Sequence, residues 1–333
     1  MNDLVKKYTL GLDTSNYTTS VALIDKDFNI VEDRRRAIKV KEGMRGIRQS
    51  EALFQHMNNL PDLLKEVLHK YGTNLAAVCA SSRPRPVEGS YMPVFNAGMN
   101  YGRVISDSLS IPFLVTSHQE GHIEAGLYDD TDIWDPTSHL ADLGEELAVF
   151  HLSGGTTEIL LKNEILGGSK DISFGQLLDR VGVGGGLAFP AGKELDRLAC
   201  KALDNAGSYT KLKERTLEDF KYISKDGLKI NLSGIESQIK RMMDEGTDNL
   251  KVLSGSILYL ISHCLKALTM DLQKQYNVSS VLFVGGVSES NFIRDYLANE
   301  FQQNEMSIYF AKSGLSVDNA VGVAIIGGKS QWL

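Results

Sequence analysis

Tyr8-Thr9-Leu10-Gly11-Leu12-Asp13-Thr14-Ser15 reads as a short apolar strand ending in small polar residues. A turn at Asn16-Tyr17 leads into Thr19-Ser20-Val21-Ala22-Leu23-Ile24, which reads as the return strand of a hairpin with a polar tip. About 140 residues later the pattern recurs as strand Leu147 to Leu152, tip Ser153-Gly154-Gly155-Thr156-Thr157, and strand Glu158-Ile159-Leu160-Leu161. One supersecondary unit appearing in both halves predicts a duplicated architecture of two similar lobes.

Outward from the first hairpin, Leu53, Met57, Leu60, Leu64 and Leu68 recur at helical spacing and predict an amphipathic helix over Ala52 to Tyr71. Ala76 to Ala80 and Ile111 to Val115 read as buried strands, with a helix over Asn96 to Leu109 between them. Tyr128 to Leu143 is acidic, carries Pro136 and lacks periodicity, as a lobe connection or surface loop would. Beyond the second hairpin, a helix over Gly255 to Tyr276 precedes strand Val281-Leu282-Phe283-Val284. That strand enters Gly285-Gly286-Val287-Ser288 and a helix from Asn291 to Gln303. Strand, paired glycines and helix can let a ligand approach the backbone at a helix N-terminus, and many ordinary turns look the same. The expected lobes are residues 1–143 with 316–333, and 144–315.

A chain of 333 residues accommodates two domains, and 42% hydrophobic with 23% charged residues describes a globular protein. No apolar run reaches the ~18 residues of a membrane helix, and Met1 to Lys7 leads into a strand, so neither a membrane span nor a signal peptide is expected. Three widely spaced cysteines (Cys79, Cys200, Cys264) without a Cys-x-x-Cys pair suit a reducing, cytoplasmic setting. A net charge of −7 argues against general coating of nucleic acid. Arg34, Arg35, Arg36, Lys39, Lys41, Arg45 and Arg48 crowd one stretch, either as a solvated face interleaved with Glu32, Asp33 and Glu42 or as a phosphate-contacting surface.

Ser117-His118-Gln119-Glu120-Gly121-His122 opens a predicted helix, and its two histidines are one turn apart on one face. That spacing presents two nitrogen ligands to one metal ion. The acid falls at the third position, off the shared face, which departs from the His-Glu-x-x-His of zinc proteases and leaves Glu120 without a general-base role.

Two polar hairpin tips with a third glycine turn resemble the actin, hexokinase and heat-shock ATPase superfamily. There, tip amides hold phosphate oxygens and the glycine turn supports an adenosine. More specifically, the chain resembles the TsaD family of tRNA N6-threonylcarbamoyladenosine transferases, formerly O-sialoglycoprotein endopeptidases (Gcp, peptidase M22-like). The resemblance runs in order through Gly11-Leu12-Asp13-Thr14-Ser15, the Ser117 to His122 motif and Leu152 to Thr156. It continues through Leu178-Asp179-Arg180, Phe189-Pro190-Ala191-Gly192-Lys193, Leu232-Ser233-Gly234-Ile235, Gly285 to Ser288 and Val317-Asp318-Asn319-Ala320.

The resemblance implies an α/β, two-lobed actin-like ATPase (ASKHA) fold with duplicated ribonuclease H-like domains. It implies a metal site at His118, His122 and Asp318 for one divalent ion, Fe or Zn. Asp318 could equally cap the helix that follows. The implied substrate and nucleotide contacts, to ATP or threonylcarbamoyl-AMP, are Leu152, Ser153, Gly154, Gly155, Thr156, Asp179, Gly192, Asp196, Gly285, Gly286 and Ser290. Asn291 could replace Ser290, and Asp179 and Asp196 could also be surface carboxylates paired with Arg180 and Arg197. Implied partners are tRNA and small TsaB- or TsaE-like proteins, with a homo- or heterodimer possible. Three departures stand out: Tyr17 and Thr18 where the family has an acidic pair, Thr156 where it has histidine, and Arg83-Pro84-Arg85-Pro86 where it has Gly-Pro-Gly. They leave open a carbamoyltransferase-type paralogue with another acceptor, or a non-catalytic regulatory member.

Overall fold

The computed structural model describes residues 6–15, 17–41, 43–44, 46–128, 147–162, 164–246 and 249–333. Asn16, Arg45 and the 129–143 part of the acidic stretch lie outside the described residues. The chain divides into two compact units, Met1–Lys41 with Gly46–Ser138 and Ala311–Leu333, and Glu42–Arg45 with His139–Phe310.

The first unit holds a five-stranded sheet in the order β3-β2-β1-β4-β5. Its strands are β1 (Tyr8–Thr14), β2 (Thr18–Asp25), β3 (Ile30–Ala37), β4 (Leu75–Arg83) and β5 (Phe113–Ser117). β1, β2 and β3 form an antiparallel meander, and β4 and β5 continue it in parallel. Thr14 pairs with Thr19, so the predicted hairpin forms in register. Helices α1 (Gln49–Tyr71) and α2 (Phe95–Leu109) pack on one face, where Leu10, Leu12, Val21 and Leu23 meet Leu60, Leu64, Val67 and Ile105. Ala22 and Ile24, one residue out of phase, face α10 (Val321–Trp332) through Val321, Ala324 and Ile325. Two covered faces explain why β1 and β2 are buried at nearly every position. The stripe that α1 buries is Ala52, His56, Leu60, Leu63, Leu64 and Val67. It is rotated from the predicted one, and Met57 is 39% exposed, because the sheet accepts a buried polar His56 bonded to Thr19.

The strand β3 was not legible as such, since Arg34, Arg35 and Arg36 hide its alternation. All three arginines are ion-paired: Arg34 with Glu32 and Glu66, Arg35 with Asp33, Arg36 with Asp62. Arg35 also donates to the Gly314 carbonyl at 2.6 Å. All four acids come from α1 or from the strand itself, so Arg34 to Arg36 form a neutralised face.

The second unit repeats the plan with β6 (Leu147–Leu152), β7 (Thr157–Leu161), β8 (Glu164–Ser169), β11 (Ser280–Val284) and β12 (Ser307–Phe310). Their order, β12-β11-β6-β7-β8, mirrors β5-β4-β1-β2-β3 with the same parallel and antiparallel pairings. A short hairpin, β9 (Ser224–Asp226) and β10 (Lys229–Asn231), extends it beyond β8. Phe150, Phe283 and Phe310 are register partners on three adjacent strands and stack at 4.9 and 5.0 Å between centroids. The helices are α4 (Phe174–Gly184), α5 (Gly192–Ala206), α6 (Tyr209–Asp219), α7 (Ser233–Glu245), α8 (Leu250–Tyr276) and α9 (Asn291–Phe301). α8 corrects one expectation, because it is long and apolar enough to cross a membrane by length and composition. Yet 78% of its apolar window is buried inside the protein, as in a core helix.

Candidate metal centre and phosphate tip

In the first unit, β5 ends at Ser117, which caps α3 (His118–Leu127). Ser117 Oγ accepts the Glu120 amide at 3.1 Å, and Glu120 Oε2 accepts the Ser117 amide at 2.8 Å, a reciprocal capping box. Glu120 also accepts from Thr116 and Ser117 hydroxyls, and these donors hold its carboxyl low against burial. Its Oε2 is therefore committed to the helix start.

The cap turns His118 and His122 toward α10. Gly322 on that helix permits the approach, since a Cβ there would lie 1.9 Å from the Gly121 carbonyl and 2.7 Å from the Ala125 amide. Gly11 does the same beneath it, where a Cβ would lie 2.4 Å from the Ala320 carbonyl. Backbone contact at these points brings the segment before α10, and Asp318 with it, onto the histidine pair. Asn319, not Asp318, takes the helix-start bond, accepting from Val321 at 2.9 Å, so Asp318 is not spent as a cap.

His118 Nε2 and His122 Nε2 are 3.1 Å apart, and Asp318 Oδ1 lies 3.5 and 3.4 Å from them. Three donors each about 2.0–2.2 Å from one ion stand about 3.0–3.5 Å apart, so the donor set fits a divalent metal. Asp13, fully buried at the end of β1, meets His118 Nδ1 at 2.7 Å. Ser81 donates to the same oxygen at 2.6 Å, and the Ser15 amide to the other at 2.8 Å. Burial disfavours the charged form of each group here, and pairing overcomes it at Asp13, His118 and Asp318. Asp13 and Asp318 outweigh burial and raise His118 to about 10. Asp318 is held well below the usual carboxylate range by both imidazoles. Asp13 is lowered chiefly by His118. Burial and the neighbouring His118 together lower His122. Asp13 was quoted in the sequence motif without a role. An acid inside an apolar strand is the signal that could have found it, because a buried carboxylate needs partners.

The departing loop at Arg83 to Pro86 packs against this helix start, its Pro84 carbonyl accepting the Gln119 amide at 3.0 Å. Tyr17 and Thr18 are half-buried at the start of β2.

In the second unit the structure links the sequence-predicted contacts pairwise. Gly285 has φ 94°, and a Cβ on it would lie 2.5 Å from the Leu152 carbonyl, so the Gly285-Gly286 turn sits against the start of the β6–β7 tip. Gly175 likewise sits against Gly154, with 2.5 Å from its virtual Cβ to the Gly154 Cα. Asp179 on α4 accepts the Ala191 amide at 2.8 Å, beside Gly192, and burial raises its carboxyl against that bond. Asp196 is buried, not a surface carboxylate. It accepts from the Asn291 and Phe292 amides at 3.1 Å each and from the Ser290 hydroxyl. The N-terminus of α9 thus already holds an anion, which corrects the expectation that this strand–glycine–helix offers its helix amides to a ligand. Arg180 does pair with a carboxylate, but with Glu236 rather than Asp179, and Arg197 pairs with Glu194. At the β6–β7 tip itself, Gly154 and Gly155 are exposed with nothing near a would-be Cβ.

This duplicated meander-plus-parallel architecture is the actin-like ATPase fold. It is shared with full-length HypF in its phosphate- and nucleotide-bound form (TM-score 0.58, 13% identity, 98% of this chain and 56% of that one). It is also shared with the activator of the 2-hydroxyisocaproyl-CoA dehydratase of Clostridium difficile (TM-score 0.52, 14% identity, 97% and 95% covered). Such identities define the fold alone. Residues 29–325 match the TsaD family, tRNA N6-adenosine threonylcarbamoyltransferase, and the chain belongs to that family. Relatives bearing that name include those of Thermotoga neapolitana (26% identical, 96% of this chain and 92% of the relative) and Bacillus subtilis (26%, 98% and 91%).

Proposed function

We propose that this chain, a transferase by family, moves a threonylcarbamoyl group from threonylcarbamoyl-AMP to N6 of an adenosine in tRNA. The observation that carries the reading is the convergence of His118 Nε2, His122 Nε2 and Asp318 Oδ1 within 3.5 Å in a chain of the TsaD family. An Fe or Zn ion held there would supply Lewis acidity toward a carbonyl or phosphate oxygen.

The chain's own residues do the rest. Asp13 holds the Nδ1 proton of His118 and so keeps Nε2 available as a donor. In the second unit, the exposed Gly154 and Gly155 tip accepts phosphate oxygens, and Asp179, Gly192 and the Asp196–Ser290 pair shape the nucleoside contact. In the transfer the carbamoyl carbon–oxygen bond to phosphate breaks and the carbon–N6 bond forms. AMP leaves with the bonding pair, and N6 gives up one proton to solvent. The tRNA rests elsewhere than on the ion-paired Arg34 to Arg36 face. Small TsaB- or TsaE-like proteins assist, and the protein works in the cytoplasm.

The test is transfer of labelled threonine into tRNA with ATP, bicarbonate, the adenylate-forming enzyme and partner proteins, an authentic family enzyme running alongside. Label entering tRNA with the wild type, and lost in His118→Ala, supports the reading. Failure of the wild type while the authentic enzyme works overturns it and turns attention to the departures at Tyr17, Thr18 and Thr156, and to another acceptor.

A further inference from the structure

Three side chains at the β6–β7 tip form one hydrogen-bonded chain. The Gly155 and Thr156 amides both donate to Ser153 Oγ, at 3.3 and 3.0 Å. Ser153 Oγ lies 2.9 Å from Thr156 Oγ1, which lies 3.2 Å from Nδ1 of His151. Proton counting gives the chain a direction. A hydroxyl has two lone pairs and one proton. Ser153 Oγ accepts two amides, so its proton goes to Thr156. Thr156 Oγ1 takes that proton on one lone pair and the Nδ1–H of His151 on the other, which leaves its own proton free to turn. His151 is 3% exposed and anchored in the central strand β6. The buried Glu158 is its direct cross-strand partner on β7 and Val284 its partner on β11, so Glu158 is the charged group on the paired strands.

A phosphate oxygen that takes the two amides releases Ser153 Oγ from them. The serine proton can then turn to the phosphate, and Thr156 turns its own proton to Ser153. The Nδ1–H of His151 donates to Thr156 throughout, so only the two hydroxyls rotate and no proton leaves its atom. We propose that His151 is a positioning residue for the leaving phosphate, acting through Thr156 and Ser153 as a reversible hydroxyl relay. This deepens the proposed function and rests on phosphate binding at this tip. The relay points inward in the free protein. It points at the phosphate when that oxygen takes up the charge of the breaking carbon–oxygen bond, which is where an added donor stabilises most.

The test uses the full chain in the tRNA transfer assay together with calorimetric ATP binding. His151→Phe and Thr156→Val should each lower kcat roughly tenfold with the ATP affinity kept. The double variant should be no worse than either single, since both cut one chain. Thr156→Ser, which keeps the hydroxyl, should restore the rate. Additive losses, an unchanged kcat, or a Thr156→Ser variant as slow as Thr156→Val would overturn the relay, and melting curves check that each variant is folded. Wild-type protein that binds no ATP, or a Gly155→Leu variant that binds it normally, would instead remove phosphate from the tip and with it the underlying reading.

Discussion

Asp13 Oδ2 lies 2.7 Å from Nδ1 of His118, although 105 residues separate them in the chain. The bond fixes which ring nitrogen carries the proton and leaves the other facing His122 and Asp318. Asp13→Asn keeps the size and removes the charge, so it should weaken Zn or Fe affinity by about 10–100-fold. Competition with a chromophoric chelator measures this. An unchanged affinity would show that His118 needs no orienting partner.

The crossing of α3 and α10 is set by backbone contact at Gly322. Gly322→Ala would place a methyl 1.9 Å from the Gly121 carbonyl, forcing the helices apart. The expected cost is about 1–3 kcal/mol of stability or more, together with weaker metal binding as Asp318 moves away. Paired measurements of Tm and metal affinity check both; a fall in Tm alone would mean that Asp318 does not depend on this crossing.

Glu120 serves the capping box of α3. Glu120→Gln keeps the amide-accepting oxygen and should retain full transfer activity, whereas Glu120→Ala should cost about 1 kcal/mol of stability. A large loss of kcat in the glutamine variant, with Tm unchanged, would restore the acid to a chemical role.

His56 is buried against Thr19, and burial lowers its pKa to about 4 from 6.5. The unfolded chain therefore binds a proton between these values that the folded one does not. Stability from this group is complete above pH 6.5 and falls as pH drops toward 4, by up to about 3 kcal/mol. Denaturant midpoints across this range should fall less steeply in His56→Gln than in the wild type. Equal slopes would show that His56 takes up its proton in the folded state as readily as in the unfolded one.

Asp196 closes the N-terminus of α9 from another helix. Asp196→Ala should leave the Asn291 and Phe292 amides without an acceptor and cost about 1–3 kcal/mol. Urea unfolding reads the loss; a variant as stable as the wild type would free Asp196 for ligand contact alone.

Local patterns in the sequence determined much of this protein: the two polar-tipped hairpins, the helix starting at Ser117 and the one-turn spacing of His118 and His122. These are written in neighbours two to four residues apart, the reach of strand alternation and helical periodicity. The rest depends on pairs far apart in the chain. Asp13 gained its role from His118, Asp196 from Ser290, and the basic run on β3 lost its charge to Glu66 and Asp62 on α1. The buried stripe of α1 turned to include His56 only because Thr19 waits beneath it. Gly11, Gly121 and Gly322 carry no side chain to mark them, and their role exists only where two backbones meet. A lone sequence shows which residues could bear chemistry. Tertiary packing decided which of them are free for it, because a buried polar group is committed to whatever partner the fold brings within hydrogen-bond reach.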